Sequence, residues 1–178
     1  MKAMTIMPYK RRRLGKTDYR KRLDIIASNK LRVVVRKSLA GIVVQLVKFQ
    51  PNGDLVITSA NAGELTKFGW GFNKGNTPSA YLTGLLCGVK IIGKSKKDKS
   101  IGIELEKGCI LDIGIAKHIK GSRIYAALKG IIDAGINIAH AEEALPSQDR
   151  LIGKHIETYK KINLRESFDK VKNTILKR

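Results

Sequence analysis

Acidic side chains are scarce in this chain: 15 Asp and Glu stand against 35 Lys and Arg, leaving a formal charge of +20 and a pI near 10.2 over 178 residues. An imbalance of that size argues against an ordinary enzyme and points to polyanionic partners. Cysteine is almost absent as well. Cys87 and Cys109 cannot build a metal site alone, and a secreted disulfide framework would normally carry more, so they read as free thiols in a reducing compartment. No window approaches the ~18 continuous apolar residues of a membrane span, and the first ten residues hold no apolar stretch of signal-peptide length. The expectation is a soluble, cytoplasmic protein without membrane contact. The hydrophobic share, 43%, lies just below the roughly 45–50% of globular chains. At one domain's length this excludes disorder throughout.

The charge that is present is unevenly placed. Residues 1–37 hold 13 basic and 2 acidic side chains, residues 38–150 hold 14 and 10, and residues 151–178 hold 8 and 3. More than half of the net charge therefore lies in the first fifth, as in an arm or face made to sit against phosphates. The run Tyr9 to Lys16 contains Lys10, Arg11, Arg12, Arg13 and Lys16 without apolar periodicity, and its like charges predict an arm that stays disordered until bound. A localisation signal or a solvated tail is the competing reading of such a run. Thr17 then reads as the cap of a short basic amphipathic helix over residues 18–27, with Tyr19, Leu23 and Ile26 on one side and Arg20, Lys21 and Arg22 crowding the other.

The remainder reads as an α/β unit. Leu31, Val33 and Val35 alternate with Arg32, Val34 and Arg36, a strand with one basic face. Residues 42–49 and 55–60, joined through Pro51-Asn52-Gly53-Asp54, complete an antiparallel meander. Asn76 or Thr77 caps a helix with Pro78 in its first turn, residues 94–107 read as an extended lysine-rich loop, and Cys109 to Ile113 forms a central strand. Gly121-Ser122 caps a second helix that Gly135 closes. The order is β-β-β-α-β-α, a mixed sheet with helices on one face and the other face open to a ligand. Two terminal helices follow, one marked by Leu151, His155 and Tyr159 and one by Leu164, Phe168, Val171 and Ile175. The expected division is a basic arm and short helix over 1–30, a core over 31–140, and a helical extension over 141–178.

Catalytic signals are weak. Gly88 to Ser95 matches the phosphate-loop pattern, and Ile110-Leu111-Asp112 resembles a strand ending in a magnesium-binding Asp. The mechanism needs a loop that leaves a strand and enters a helix, whereas this segment continues a helical stripe, so its context is reversed. An RNA-processing or nucleotide-dependent enzyme using Lys94 and Asp112 is the alternative retained. Asp112 and Asp133 could pair on a metal, but one falls mid-strand and the other late in a helix. His118, His140 and His155 form no constellation with a nucleophile, and the expectation is a non-catalytic protein with no cofactor and no metal. Phe68, Trp70 and Phe72 concentrate aromatic side chains in a glycine-rich loop, suited to base or ribose stacking or, equally, to plugging the core. Lys117, Lys120 and Arg123 flank one helix N-terminus and Lys74 lies beside Asn76 at another, fitting either an anion site or a solvated cap.

Several segments together resemble a known family. They are Arg11 to Leu23, Leu31 to Ser38, Glu64-Leu65 with Phe68-Gly69-Trp70, Gly75 to Leu86, Ile110 to Gly114, and Lys120 to Arg123, followed by Ala127 to Gly130, Asp133 to Gly135 and His140. In this order they resemble the 5S-rRNA-binding large-subunit ribosomal proteins of the L-eighteen family in its archaeal form. The resemblance implies a structural protein that binds 5S rRNA and helps seat it at the central protuberance, with 23S rRNA and neighbouring large-subunit ribosomal proteins as further partners. Nothing indicates self-association. It implies RNA contacts at Lys10, Arg11, Arg12, Arg13, Lys16, Tyr19, Arg20, Arg22, Arg32, Arg36 and Lys37, with Trp70 and Asn76 as loop contacts. Two features depart from the family pattern: residues 94–107 are longer and richer in lysine, and Ala139 stands where a proline often precedes the histidine.

Overall fold

A computed structural model of the chain describes residues 7–177. Residues 1–6, most of the stretch read for a signal peptide, and residue 178 lie outside the described residues. The arm carries one helical turn, α1 (Lys10–Arg13), where the sequence predicted disorder. Gly15 at φ 60 turns the chain back, and Arg11 Nε donates to Thr17 Oγ1 at 3.0 Å. Helix α2 (Tyr19–Ala27) matches the predicted span, but its cap is Asp18, not Thr17. The Asp18 carboxylate accepts from the amides of Arg20 and Lys21 at 3.0 and 3.2 Å. An anion at a helix N-terminus also meets the favourable end of the dipole, an advantage that a threonine hydroxyl lacks.

Strands β1 (Leu31–Lys37), β2 (Ile42–Lys48) and β3 (Leu55–Asn61) form the expected meander, and β4 (Cys109–Asp112) adds in parallel beside β1, giving the order β3-β2-β1-β4. Val33, Val35, Val44 and Leu46 are fully buried on one face. Helices α3 (Thr77–Ser95) and α5 (Arg123–Asp133) cover that face. The Asn76 side chain caps α3 by accepting from the Ser79 amide at 2.9 Å. The two helices cross at glycines: a Cβ on Gly84 would lie 2.0 Å from the Ala127 carbonyl oxygen, and one on Gly130 would lie 2.2 Å from that of Tyr81.

Residues 94–107 are not an extended loop. Helix α3 runs on to Ser95, and α4 (Lys99–Glu106) follows, with Ile101 and Leu105 packed against the core four residues apart. In the C-terminal part, Gly153 at φ 92 breaks the chain into α6 (Gln148–Ile152) and α7 (Lys154–Lys160). The predicted stripe of Leu151, His155 and Tyr159 therefore does not hold, and Tyr159 is 85% exposed. Helix α8 (Leu164–Leu176) buries Leu164, Phe168, Val171 and Ile175 as its period predicted, with the Phe168 ring 5.5 Å from that of Tyr81. Among the described residues no helix is long and apolar enough to cross a membrane.

Candidate nucleic-acid interface

The sheet face opposite α3 and α5 carries Arg32, Val34 and Arg36 from β1, with Asp112 of β4 in register beside Val34. At one end of this face α2 and the segment after β4 form the walls of a cleft of about 750 Å³. Tyr19, Lys21, Arg22 and Ile25 line one wall, Val35, Arg36 and Lys37 the floor, and Asp112 to Ala116 the other wall. Arg11 and Lys16 of the arm reach the rim, and the Tyr9 ring packs on Tyr19 at 5.5 Å. Across the mouth, Lys21 Nζ lies 3.2 Å from His118 Nε2, and His118 Nδ1 lies 2.9 Å from the Tyr125 hydroxyl. A concave site whose basic side chains outnumber its acidic ones suits a shaped polyanion.

The arginines of this face are not free charges. Arg22 Nη2 donates to Asp54 Oδ2 at 2.7 Å. Arg32 Nη2 sits 2.7 Å from Asp54 Oδ1, an ion-pair distance without the N–H direction of a hydrogen bond, and Arg32 Nη1 is 3.6 Å from Asp112 Oδ2. Arg36 then closes the series, donating from Nη2 to Asp112 Oδ1 at 2.9 Å and from Nη1 to the Asp112 carbonyl at 2.6 Å. The Gly114 amide donates to Asp112 Oδ1 at 2.7 Å, and Gly114, at φ 63, leaves room for the Arg36 guanidinium where a Cβ would crowd it. Partial burial works to raise the Asp54 carboxyl, but the Arg32 and Arg22 guanidiniums outweigh it and hold the group below its ordinary value. The result is a continuous series, Arg22–Asp54–Arg32–Asp112–Arg36, running from α2 across the sheet.

Several residues expected at RNA are thus engaged with the protein itself. Arg32 is only 2% exposed and acts as a buried linker, because its position in β1 turns it inward beneath the β2–β3 turn that carries Asp54. Trp70 is 1% exposed, its Nε1 donating to the Asn73 carbonyl at 3.4 Å and its ring edge-on to Phe72, so it plugs the core under its loop and has no face open for stacking. Asn76 is spent on capping α3. Arg123 Nη1 donates to the carbonyls of Gly75 and Ser38, at 2.7 and 3.2 Å, fastening two loops. Lys120 is exposed but paired with Glu143 at 2.7 Å. Lys10, Arg12, Arg13, Lys16, Arg20, Lys37, Lys74 and Lys117 are exposed and form no ion pair among the described residues. The sequence pattern does not single out Lys21, Asp54 and His118 as parts of this site, because Lys21 meets His118 across 97 residues of chain and Asp54 meets Arg22 across 32.

The phosphate-loop pattern has no loop. Gly88 to Ser95 lies inside α3, where its amides are committed to the helix. Gly88 lets α3 approach α5, since a Cβ there would meet that of Ala134 at 2.4 Å. Lys90 Nζ donates to the Ser59 carbonyl and Lys94 Nζ to the Ile57 carbonyl, both on β3. Asp112 is held by Arg32, Arg36 and the Gly114 amide, and nothing in this arrangement supports an enzyme built on Lys94 and Asp112.

A protein-family model described as "Ribosomal large subunit proteins 60S L5, and 50S L18" matches residues 6–141. The chain belongs to this family. The large ribosomal subunit protein uL18 of Methanococcoides burtonii is similar to it, 44% identical over 169 residues that cover 94% of this chain and 92% of that protein. As a member of the family the chain is a ribosomal protein of the large subunit, an rRNA-binding structural component of the translation machinery and not an enzyme. The basic excess of the chain fits that role, because rRNA is a polyanion.

Proposed function

We propose that this protein binds 5S rRNA through its arm, α2 and the cleft, and helps attach that RNA to 23S rRNA at the central protuberance of the cytoplasmic ribosome, beside other large-subunit proteins. The observation that carries the proposal is a set of exposed bases without ion pairs among the described residues: Lys16 and Lys37 line the cleft, Lys10, Arg12, Arg13 and Arg20 lie on the arm and the α2 helix that flank it, and Lys117 lies beyond it. Phosphate and shape contacts should dominate, because the deep major groove of A-form RNA admits side chains poorly. Lys74, next to the N-terminus of α3, supplies a peripheral contact. Binding of 5S rRNA measured by filter retention over a salt series tests this. Affinity falls steeply with salt, and deleting residues 1–16 flattens the log–log slope by about 0.7–0.9 for each phosphate that the arm had neutralised. An unchanged slope removes the arm from the mechanism, and equal affinity for an unrelated RNA of the same length removes 5S rRNA as the specific partner.

A further inference from the structure

Carboxylates on a face that binds a polyanion need an explanation, since each one repels phosphate. Asp54 and Asp112 are also the only acids in the Arg22–Asp54–Arg32–Asp112–Arg36 series. We propose that they are positioning residues for RNA binding, holding the two walls of the cleft at a fixed separation, so that removing a negative charge weakens the affinity for RNA. The inference rests on the RNA-binding reading above.

The geometry divides the task between them. Asp54 lies on the turn between β2 and β3 and takes Arg22 of α2 with one oxygen and Arg32 of β1 with the other, so it ties the wall formed by α2 to the sheet. Helix α2 needs such a tie, because none of its residues is buried and Leu23 is 66% exposed. Apolar packing alone therefore holds it weakly. Asp112 sets the opposite wall. Its Oδ1 accepts from both the Gly114 amide and Arg36, fixing the turn that leads to Lys117 and His118. Arg32 joins the two carboxylates beneath the floor. Its guanidinium is buried and its Nε has no acceptor among the described residues, so it depends on both acids for compensation. The half-buried Arg22 and the exposed Arg36 are thereby pre-set in orientation before RNA arrives, and each side chain ordered in advance saves about a three- to tenfold loss in affinity.

The test exploits a difference in sign. Electrostatics alone predicts that Asp54→Asn tightens 5S rRNA binding, because the face gains a unit of positive charge. Positioning predicts about three- to tenfold weaker binding, with faster hydrogen exchange at the α2 amides and partial restoration in Asp54→Glu. Because Asp54→Asn leaves Arg32 without a full partner and can lower stability, Arg22→Lys supplies a second variant. It keeps the charge, removes the guanidinium fork and leaves Arg32 paired, and it too should bind more weakly and exchange faster in α2. Glu143→Gln, which removes an exposed acid outside the series, calibrates the charge effect and should bind no more weakly than the wild type. Wild-type binding together with unchanged or tighter binding by Asp54→Asn and Arg22→Lys overturns the proposal alone. Failure of the wild-type chain to bind 5S rRNA overturns the reading on which it rests.

Discussion

Asp54 is subject to opposing influences, and their balance has a measurable consequence. Burial raises its carboxyl, two guanidiniums lower it, and the guanidiniums win. A carboxyl depressed in the folded state contributes stability that is present above its unfolded value, near 3.8, and is lost as pH falls through the folded value. Asp54→Asn should therefore be less stable than wild type at neutral pH, with the gap narrowing below about pH 4. Circular dichroism along an acid titration reads this, and a gap that persists undiminished at the lowest pH contradicts it. Residue identity alone reveals the basic character of the site but not which bases are free. Arg32 and Lys37 look equivalent as text, yet one is a buried linker and the other an exposed charge, because alternation and the Asp54 turn decide where each guanidinium or ammonium ends. Trp70 misleads for a similar reason: a glycine-rich loop signals freedom, whereas Gly69 at φ 88 folds the loop so that the indole turns inward.

At the scale of elements, the crossing of α3 and α5 holds the core together and depends on side chains being absent at Gly84, Gly88 and Gly130. Replacing Gly84 or Gly130 by alanine gains about 1 kcal/mol in helix propensity. Against that, the new methyl group would press on a backbone carbonyl at 2.0 or 2.2 Å, contacts that only separation of the helices relieves. The clash should dominate, with a net loss of about 1–3 kcal/mol in urea unfolding; a variant as stable as wild type would show that the helices do not cross this closely. The meander, β4, both central helices and α8 are legible in the sequence because their apolar period exceeds their other signals. Helix α4 is not, since lysines on either side obscure a stripe of only Ile101 and Leu105. The break between α6 and α7 escapes the pattern because the spacing of Leu151, His155 and Tyr159 is helical, while Gly153 between them takes a left-handed conformation that spacing does not report.

At the scale of the whole molecule, a charge of +20 makes the RNA-free protein repel itself. Salt acts on it in two opposite ways, screening the repulsion and weakening ion pairs. Most ion pairs here are at least partly exposed and worth about 0–1 kcal/mol each, so relief of repulsion should win. The thermal midpoint of the free chain is expected to rise as the Debye length shrinks from about 30 to about 8 Å between 0.01 and 0.15 M salt. A midpoint that falls across this range would mean that internal pairing governs stability. The order of motifs and the concentration of charge make the molecule's role legible; the pairing of that charge depends on tertiary contacts absent from any local pattern. Strand β3 is an outermost strand of the sheet, and a bare outer strand is a template on which a second copy can extend the sheet. Lys90 and Lys94 occupy its outward carbonyls at Ser59 and Ile57. A chain that must wait for its RNA is thereby shielded from sheet-to-sheet aggregation by the same residue type that elsewhere in the molecule attracts its partner.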